Sequence, residues 1–154
     1  MGRIEVVAVA ALFALAMAGC SDDGETGGGA EPQPEETADA TVAVEDSDLG
    51  QIVVDAEGKT LYVFLADEGS DSTCYDDCEA AWPPLTVDGD PAAGEGIDAS
   101  ILGTTEREDG STQVTLDGHP LYYFASDATA DDVNGQGVGD VWYVVSPDGE
   151  AIQA

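Results

Sequence analysis

The chain has 154 residues, with 33 Asp and Glu against 3 Lys and Arg, giving a formal charge of −30. Phosphate recognition needs clustered Lys and Arg that release counterions, so this balance argues against nucleic acid as a partner, and an anionic membrane surface repels the chain for the same reason. Cations, basic proteins or a high-salt medium stay compatible with it, and the simplest role of the charge is a solvated surface that keeps the protein soluble.

At the amino terminus Arg3 precedes an apolar run from Val6 to Ala18 that ends in Met17-Ala18-Gly19-Cys20. The run has the length of a signal-peptide core and is too short to span a bilayer as a helix. Small residues at Ala18 and Gly19 suit a signal peptidase, and Cys20 supplies the thiol for a diacylglycerol group. Met17 stands where Leu is usual, and Glu5 sits beside the single Arg of the n-region. The reading is a lipoprotein signal over residues 1–19 with lipidation at Cys20, which places the protein at the outer face of the cell membrane. Losing residues 1–19 removes only Arg3 and Glu5, so the mature charge stays at about −30. Two cysteines then remain, Cys74 and Cys78, in a compartment that permits disulfides, and a bridge between them is expected.

Residues 20–45 read as the lipidated cysteine and an acidic tether rich in Gly, Pro and Thr, with no aromatic residue. Such a segment buries too little surface to offset its ordering entropy. As a flexible coil it spans on the order of 28 Å. Residues 46–154 are long enough for one domain.

That domain carries an internal repeat. Gly58-Lys59-Thr60-Leu61-Tyr62-Val63-Phe64-Leu65-Ala66-Asp67 returns sixty residues later as Gly118-His119-Pro120-Leu121-Tyr122-Tyr123-Phe124-Ala125-Ser126-Asp127. The same offset carries Trp82 onto Trp142 and Val54 onto Val114. The units are placed at about 46–105 and 106–154. Strands are predicted at Ile52–Val54, Leu61–Leu65, Ser100–Thr105, Gln113–Leu116, Val141–Ser146 and Ala151–Gln153 from their β-branched and aromatic content. Turns are predicted at Ala56–Lys59, at Leu116-Asp117-Gly118-His119, around Gly110, and at Ser146-Pro147-Asp148-Gly149. One short helix is predicted over Cys74–Ala81, with Thr73 as N-cap, Asp76 and Asp77 in the first turn, and Trp82-Pro83-Pro84 ending it. The expected fold is mainly β, a small antiparallel domain of two related repeats with one helical insert.

The ordered motifs Gly-x-x-Leu-Tyr-x-Phe-x-x-Asp, Cys-x3-Cys-x3-Trp-Pro-Pro-Leu, Gly-x-Pro-Leu-Tyr-x-Phe, Asn-Gly-Gln-Gly-Val and Trp-x-Val-Val-x-Pro-Asp-Gly resemble the secreted-repeat lipoproteins known by a Tyr-x4-Asp motif. The resemblance spans roughly residues 48–153, and a lipoprotein amino terminus goes with it. Ala130-Asp131-Asp132 departs from the Pro-Gly-Asp common in the family. The resemblance implies an envelope lipoprotein domain and carries over no activity, substrate or catalytic residue.

Tyr62 and Phe64 share one strand face, as do Tyr122 and Phe124, while Leu61, Val63 and Leu65 line the other, so both faces are expected to be covered. A buried Tyr needs a hydroxyl partner; Asp67 and Asp127 are candidates, either as acceptors or as caps of the following turn. These residues, with Trp82 and Trp142, form the motif set, structural or ligand-binding. A Cys74–Cys78 bridge closes a short loop, while Asp76, Asp77 and Glu79 disfavour a reactive thiolate. His119 is the single histidine and matches Lys59 in the first unit, so the repeat plan does not require an imidazole there, and nothing in its spacing supports zinc with the cysteines. The acid-rich loops lack EF-hand spacing. No Ser-His-Asp order or Gly-x-Ser-x-Gly elbow is present, and the glycines of 134–139 read as left-handed turns rather than a phosphate loop. No catalytic set, cofactor or metal site is read. The sequence favours a membrane-anchored, non-enzymatic module that binds a protein, a glycan, a small ligand or cations. The alternative is an extracytoplasmic redox or metal-handling lipoprotein using Cys74 and Cys78.

Overall fold

A computed structural model describes residues 40–153. The expected signal segment, Cys20 and the expected tether as far as residue 39 lie outside the described residues. The chain forms a β1–β2 hairpin (Val42–Ser47, Gly50–Asp55), a short β3 (Tyr62–Phe64), one helix α1 (Asp77–Ala81), a β4–β5 hairpin (Leu102–Glu106, Thr112–Leu116) continued by β6 (His119–Pro120), a 3-10 turn (Val138–Asp140) and β7 (Trp142–Val144). It is a mainly β, antiparallel fold of two repeats, as expected.

The tether boundary needs correction. β1 starts at Val42, which is fully buried in the core with Val53, Leu61, Val114, Leu121 and Val145. The acids at Glu45 and Asp46 mask the strand in the sequence, because its solvent-facing half is polar while Val42 and Val44 face inward. Four smaller expectations also change. Ala151–Gln153 contributes only a bridge of Ala151 to Val145. Leu65 is 44 % exposed, so the second face of β3 is covered only at Leu61 and Val63. The helix begins at Asp77, with Asp76 before it at a positive φ (55°) and no side-chain cap. Thr73 is not the cap: it lies three residues before the cap position at Asp76, and its N–H and hydroxyl donate to Asp67 Oδ1 at 2.8 and 2.7 Å.

The repeat register is subtler than one constant offset. The backbone bonds Leu61 N–H to Val53 O and Val53 N–H to Val145 O have counterparts in Leu121 N–H to Val114 O and Val114 N–H to Leu85 O. Val53, not Val54, therefore occupies the place of Val114; Val54 bridges Thr60 as Thr115 pairs with Pro120. Counted between equivalent paired positions, Ser47 to Gly50 and Arg107 to Ser111, the second hairpin connection is one residue longer, and the next turn is one residue shorter, so the sixty-residue spacing is restored afterwards. In the second unit Asp117 (φ 48°) and Gly118 (φ 80°) form the tight two-residue turn that Asp-Gly favours.

A pseudo-twofold axis passes between Tyr62 and Tyr122, whose backbones exchange reciprocal hydrogen bonds of 2.8 and 2.9 Å. Around it the units are interleaved. β3 of the first pairs with β7 of the second, Tyr62 opposite Val144 and Phe64 opposite Trp142, and Tyr122 bridges Pro84 in the same way. Neither unit completes its central strand pair alone. A polypeptide carrying residues 40–98 is therefore expected to give the far-UV circular dichroism and collapsed amide dispersion of an unfolded chain, and addition of residues 99–154 to restore dispersion; a well-dispersed spectrum of the first fragment alone overturns the interleaving.

Candidate functional site

The motif tyrosines leave the axis on the face shared with the tryptophans, and their hydroxyls cross over. Tyr62 donates to Asp127 Oδ2 at 2.6 Å, and Tyr122 donates to Asp67 Oδ2 at 2.7 Å. Each Tyr thus reaches the Asp of the other repeat. The second carboxylate oxygen of each Asp orders the loop that follows it: Asp67 Oδ1 accepts from Thr73, and Asp127 Oδ1 accepts the Asn134 N–H at 3.0 Å. Burial and the neighbouring carboxylate push both phenols well above the ordinary tyrosine value of 10.0, burial being the larger cause in each.

Between the tyrosines the aromatic residues form one column. Trp82 and Trp142 stack at 3.9 Å and 2° from parallel. Phe124 stacks on Trp82 and Phe64 on Trp142, each at 4.2 Å, while Tyr62 and Tyr122 meet Trp82 and Trp142 edge-on at 5.4 and 5.1 Å. The structure therefore brings all eight motif residues together. Gly135 closes this column from the side. A methyl group there would stand 2.7 Å from the Trp82 ring and 2.8 Å from Tyr62, and the Gly135 N–H donates to the Tyr62 hydroxyl. Gly137 and Gly139 do adopt left-handed turns, as expected of this glycine run, but Gly135 is required by close approach.

Sequence reasoning missed Arg107 altogether. Its side chain is fully buried and fans out to Ser72 Oγ and Gln113 Oε1 at 2.8 Å, Cys74 O at 2.9 Å and Glu79 Oε2 at 2.6 Å, with its guanidinium 4.4 Å over the Tyr75 ring. Ser72 is within 2.6 Å of the Tyr122 hydroxyl. Since Asp67 can only accept, Tyr122 donates to it and Ser72 donates to Tyr122, so a single chain of bonds runs from Arg107 to Asp67. The available signal was the rarity of cations: after Arg3 the sequence holds only Lys59 and Arg107, and a planar guanidinium can serve several acceptors at once. Cys74 and Cys78 form the expected disulfide, Cα–Cα 5.2 Å, with Cys74 fully buried. Arg107 and the bridge together pin the 72–79 segment, which has no such clamp in the second repeat.

The other asymmetry is a groove of about 460 Å³ on the outer side of Phe124, between the 55–59 turn and the segment after Tyr122. Asp55, only 5 % exposed, holds the turn by accepting the Glu57 and Lys59 N–H groups on Oδ1, both at 2.9 Å, and it accepts the Tyr123 hydroxyl on Oδ2 at 2.8 Å. The repeat equivalents of Asp55 and Tyr123 are Leu116 and Val63, both buried apolar residues. Burial first, then Asp55, raises the Tyr123 pKa above 10.0. His119 lies half-buried opposite Leu116. It cannot share a zinc ion with Cys74 and Cys78 while those sulfurs are bonded to each other.

A family model described as a secreted repeat of unknown function matches the chain twice, over residues 43–86 and 103–146. The chain belongs to this family. Both matches of the secreted repeat start just inside the first strand of a hairpin, earlier than the expected unit boundaries of 46 and slightly earlier than 106, and both end past the Trp. No curated protein and no solved structure matches. The crossed Tyr–Asp pairs and the Trp stack thus explain what the secreted-repeat motif builds: the seam between two copies.

Tyr62→Phe leaves the half-buried Asp127 carboxylate short of its donor and the buried Gly135 N–H without its acceptor, so it is expected to cost about 1–3 kcal/mol in urea unfolding. Gly135→Ala is expected to cost a similar amount, about 1–3 kcal/mol, by overpacking. Cys74→Ser with Cys78→Ser should lose about 2 kcal/mol. In alkali the unfolded tyrosines deprotonate near pH 10 while the folded ones keep their protons, so the native state binds more protons and stability falls as pH rises above about 10. Absorbance at 295 nm should show Tyr62, Tyr122 and Tyr123 ionising only with unfolding; normal titration of these groups in the folded protein counts against their burial.

Proposed function

We propose that the chain is an exported lipoprotein, held at the outer face of the cell membrane through Cys20, whose two-repeat domain is a non-enzymatic binding module. The Met17-Ala18-Gly19-Cys20 context supports the anchor, membership of a secreted family supports export, and the acidic segment after Cys20 gives the domain reach from the surface. The observation that carries the binding reading is the engagement of the reactive groups. The phenols of Tyr62 and Tyr122 are buried donors to carboxylates with raised pKa values, which suits them to holding the fold and not to proton transfer near neutrality. The two thiols are joined, and Arg107 is spent on five contacts of its own chain. Among the described residues, what these groups leave for other molecules is surface shape and surface charge, which serve recognition of a protein, a glycan or a small ligand.

Mass spectrometry of the native amino terminus should find a diacylglyceryl group on Cys20 and no residue before it; an unmodified Cys20 or cleavage elsewhere refutes the anchor. A thiol reagent applied to unreduced, denatured protein should label neither Cys74 nor Cys78, and voltammetry of the folded protein should be silent in the physiological range. Free thiols, a bound metal or a reversible wave would support redox or metal handling instead.

A further inference from the structure

The duplication supplies an internal control for function. Residues that recur at equivalent places in both repeats are needed twice to build one fold; residues that one repeat carries and the other replaces by apolar side chains are not required by the architecture. On that criterion the groove beside Phe124 stands out. Tyr123, Ala125 and Lys59 occupy the places that Val63, Leu65 and His119 hold in the twofold-related hollow, which Glu150, Ala151 and Gln153 of the carboxyl-terminal segment wall in. Asp55 replaces Leu116, a buried carboxylate where the other unit has a core leucine, and its cost is met by Tyr123 and two backbone N–H groups.

We propose that this groove is a binding site for a neutral saccharide of one or two pyranose rings. The inference rests on the reading of the domain as a binding module and specifies its ligand. The floor is apolar: the half-buried Pro83, Phe124 and Tyr123, with the Phe124 ring held rigid by its stacking on Trp82. A sugar's C–H face packs against such rings. The carboxylates of Asp55 and Asp127 have both oxygens occupied by the Tyr123 and Tyr62 hydroxyls and by backbone N–H groups. That leaves Glu57 and Lys59, both exposed, two residues apart, and among the described residues without a side-chain hydrogen bond or ion pair. One acceptor and one donor of opposite charge suit sugar hydroxyls, which both donate and accept. A cation seated at Glu57 meets the Lys59 ammonium, and an anion seated at Lys59 meets the field of a chain with a charge of −30. Neither penalty falls on a neutral polyol. At about 460 Å³, the groove lies within the range of small-molecule sites, about 300–1,000 Å³.

The test is a titration of the ¹⁵N-labelled full mature chain with methyl glucoside, methyl galactoside, N-acetylglucosamine, maltose and cellobiose, each to about 50 mM, a ceiling chosen for millimolar affinities. At least one sugar is expected to move the amides of Gly58, Lys59 and Ala125 saturably, and to do so equally at about 0.5 M salt, where exposed charge pairs are screened. Glu57→Gln with Lys59→Ala, two exposed positions whose loss leaves the spectrum folded, should weaken binding about tenfold or more, the effect of losing charge-assisted hydrogen bonds. The proposal is overturned if no sugar moves these amides, if binding survives in the double variant, or if benzylamine binds there in a salt-sensitive way and the sugars do not. Response to a ligand elsewhere on the surface would sink the saccharide groove and leave the binding-module reading standing; a redox-active Cys74–Cys78 pair would strike that reading itself.

Discussion

Tyr62 and Tyr122 face each other across a pseudo-twofold axis, and the two hydrogen bonds their backbones exchange bring every other element into place. From that point each chain segment reaches into the opposite unit: side-chain hydroxyls to Asp127 and Asp67, phenylalanines onto Trp142 and Trp82, β3 onto β7. A duplicated sequence ordinarily suggests two modules side by side. Here the shared seam is the centre of the fold, because each unit supplies half of every central contact.

The spacing of the motif follows from this geometry. Neither Tyr bonds the Asp five residues later in its own repeat, because a turn after the Phe, closed by Asp67 N–H to Phe64 O and Asp127 N–H to Phe124 O, intervenes. With a second copy related by a twofold axis, the Asp of each copy arrives at the Tyr of the other, and its spare oxygen fixes the next loop through Thr73 or Asn134. The Trp pair fills the space on the axis, and a face-to-face stack at 3.9 Å is the consequence of two equivalent flat rings meeting there.

The departures from symmetry carry different information. Arg107 and the Cys74–Cys78 bridge stiffen one loop, with Arg107 linked through Ser72 to Tyr122, whereas Tyr62 on the other side receives only the Gly135 N–H. Asp55 and Tyr123 bring a polar pair to one hairpin where the other has Leu116 and Val63. One copy of a pair can diverge in this way because the fold needs the seam residues twice and the flanking residues only once.

Much of this was legible in the residues themselves. The repeat showed as self-similarity at a spacing of sixty residues, and local signals marked the Asp117-Gly118 turn, the helix stop at Trp82-Pro83 and the proximity of the two cysteines, since each of these depends on neighbours a few positions away. β1 escaped notice because half its residues face water and resemble the acidic segment before it, and the true partner of Val114 was hidden by two compensating one-residue changes in loop length. The direction of the Tyr–Asp bonds, the burial of Arg107, the need for Gly135 and the Asp55–Tyr123 groove were settled only by the tertiary structure. Apart from the bond of Arg107 to Gln113, six positions away, those contacts join residues from 28 to 73 positions apart, and a linear sequence states which groups exist without stating which of them the folded chain brings within bonding distance.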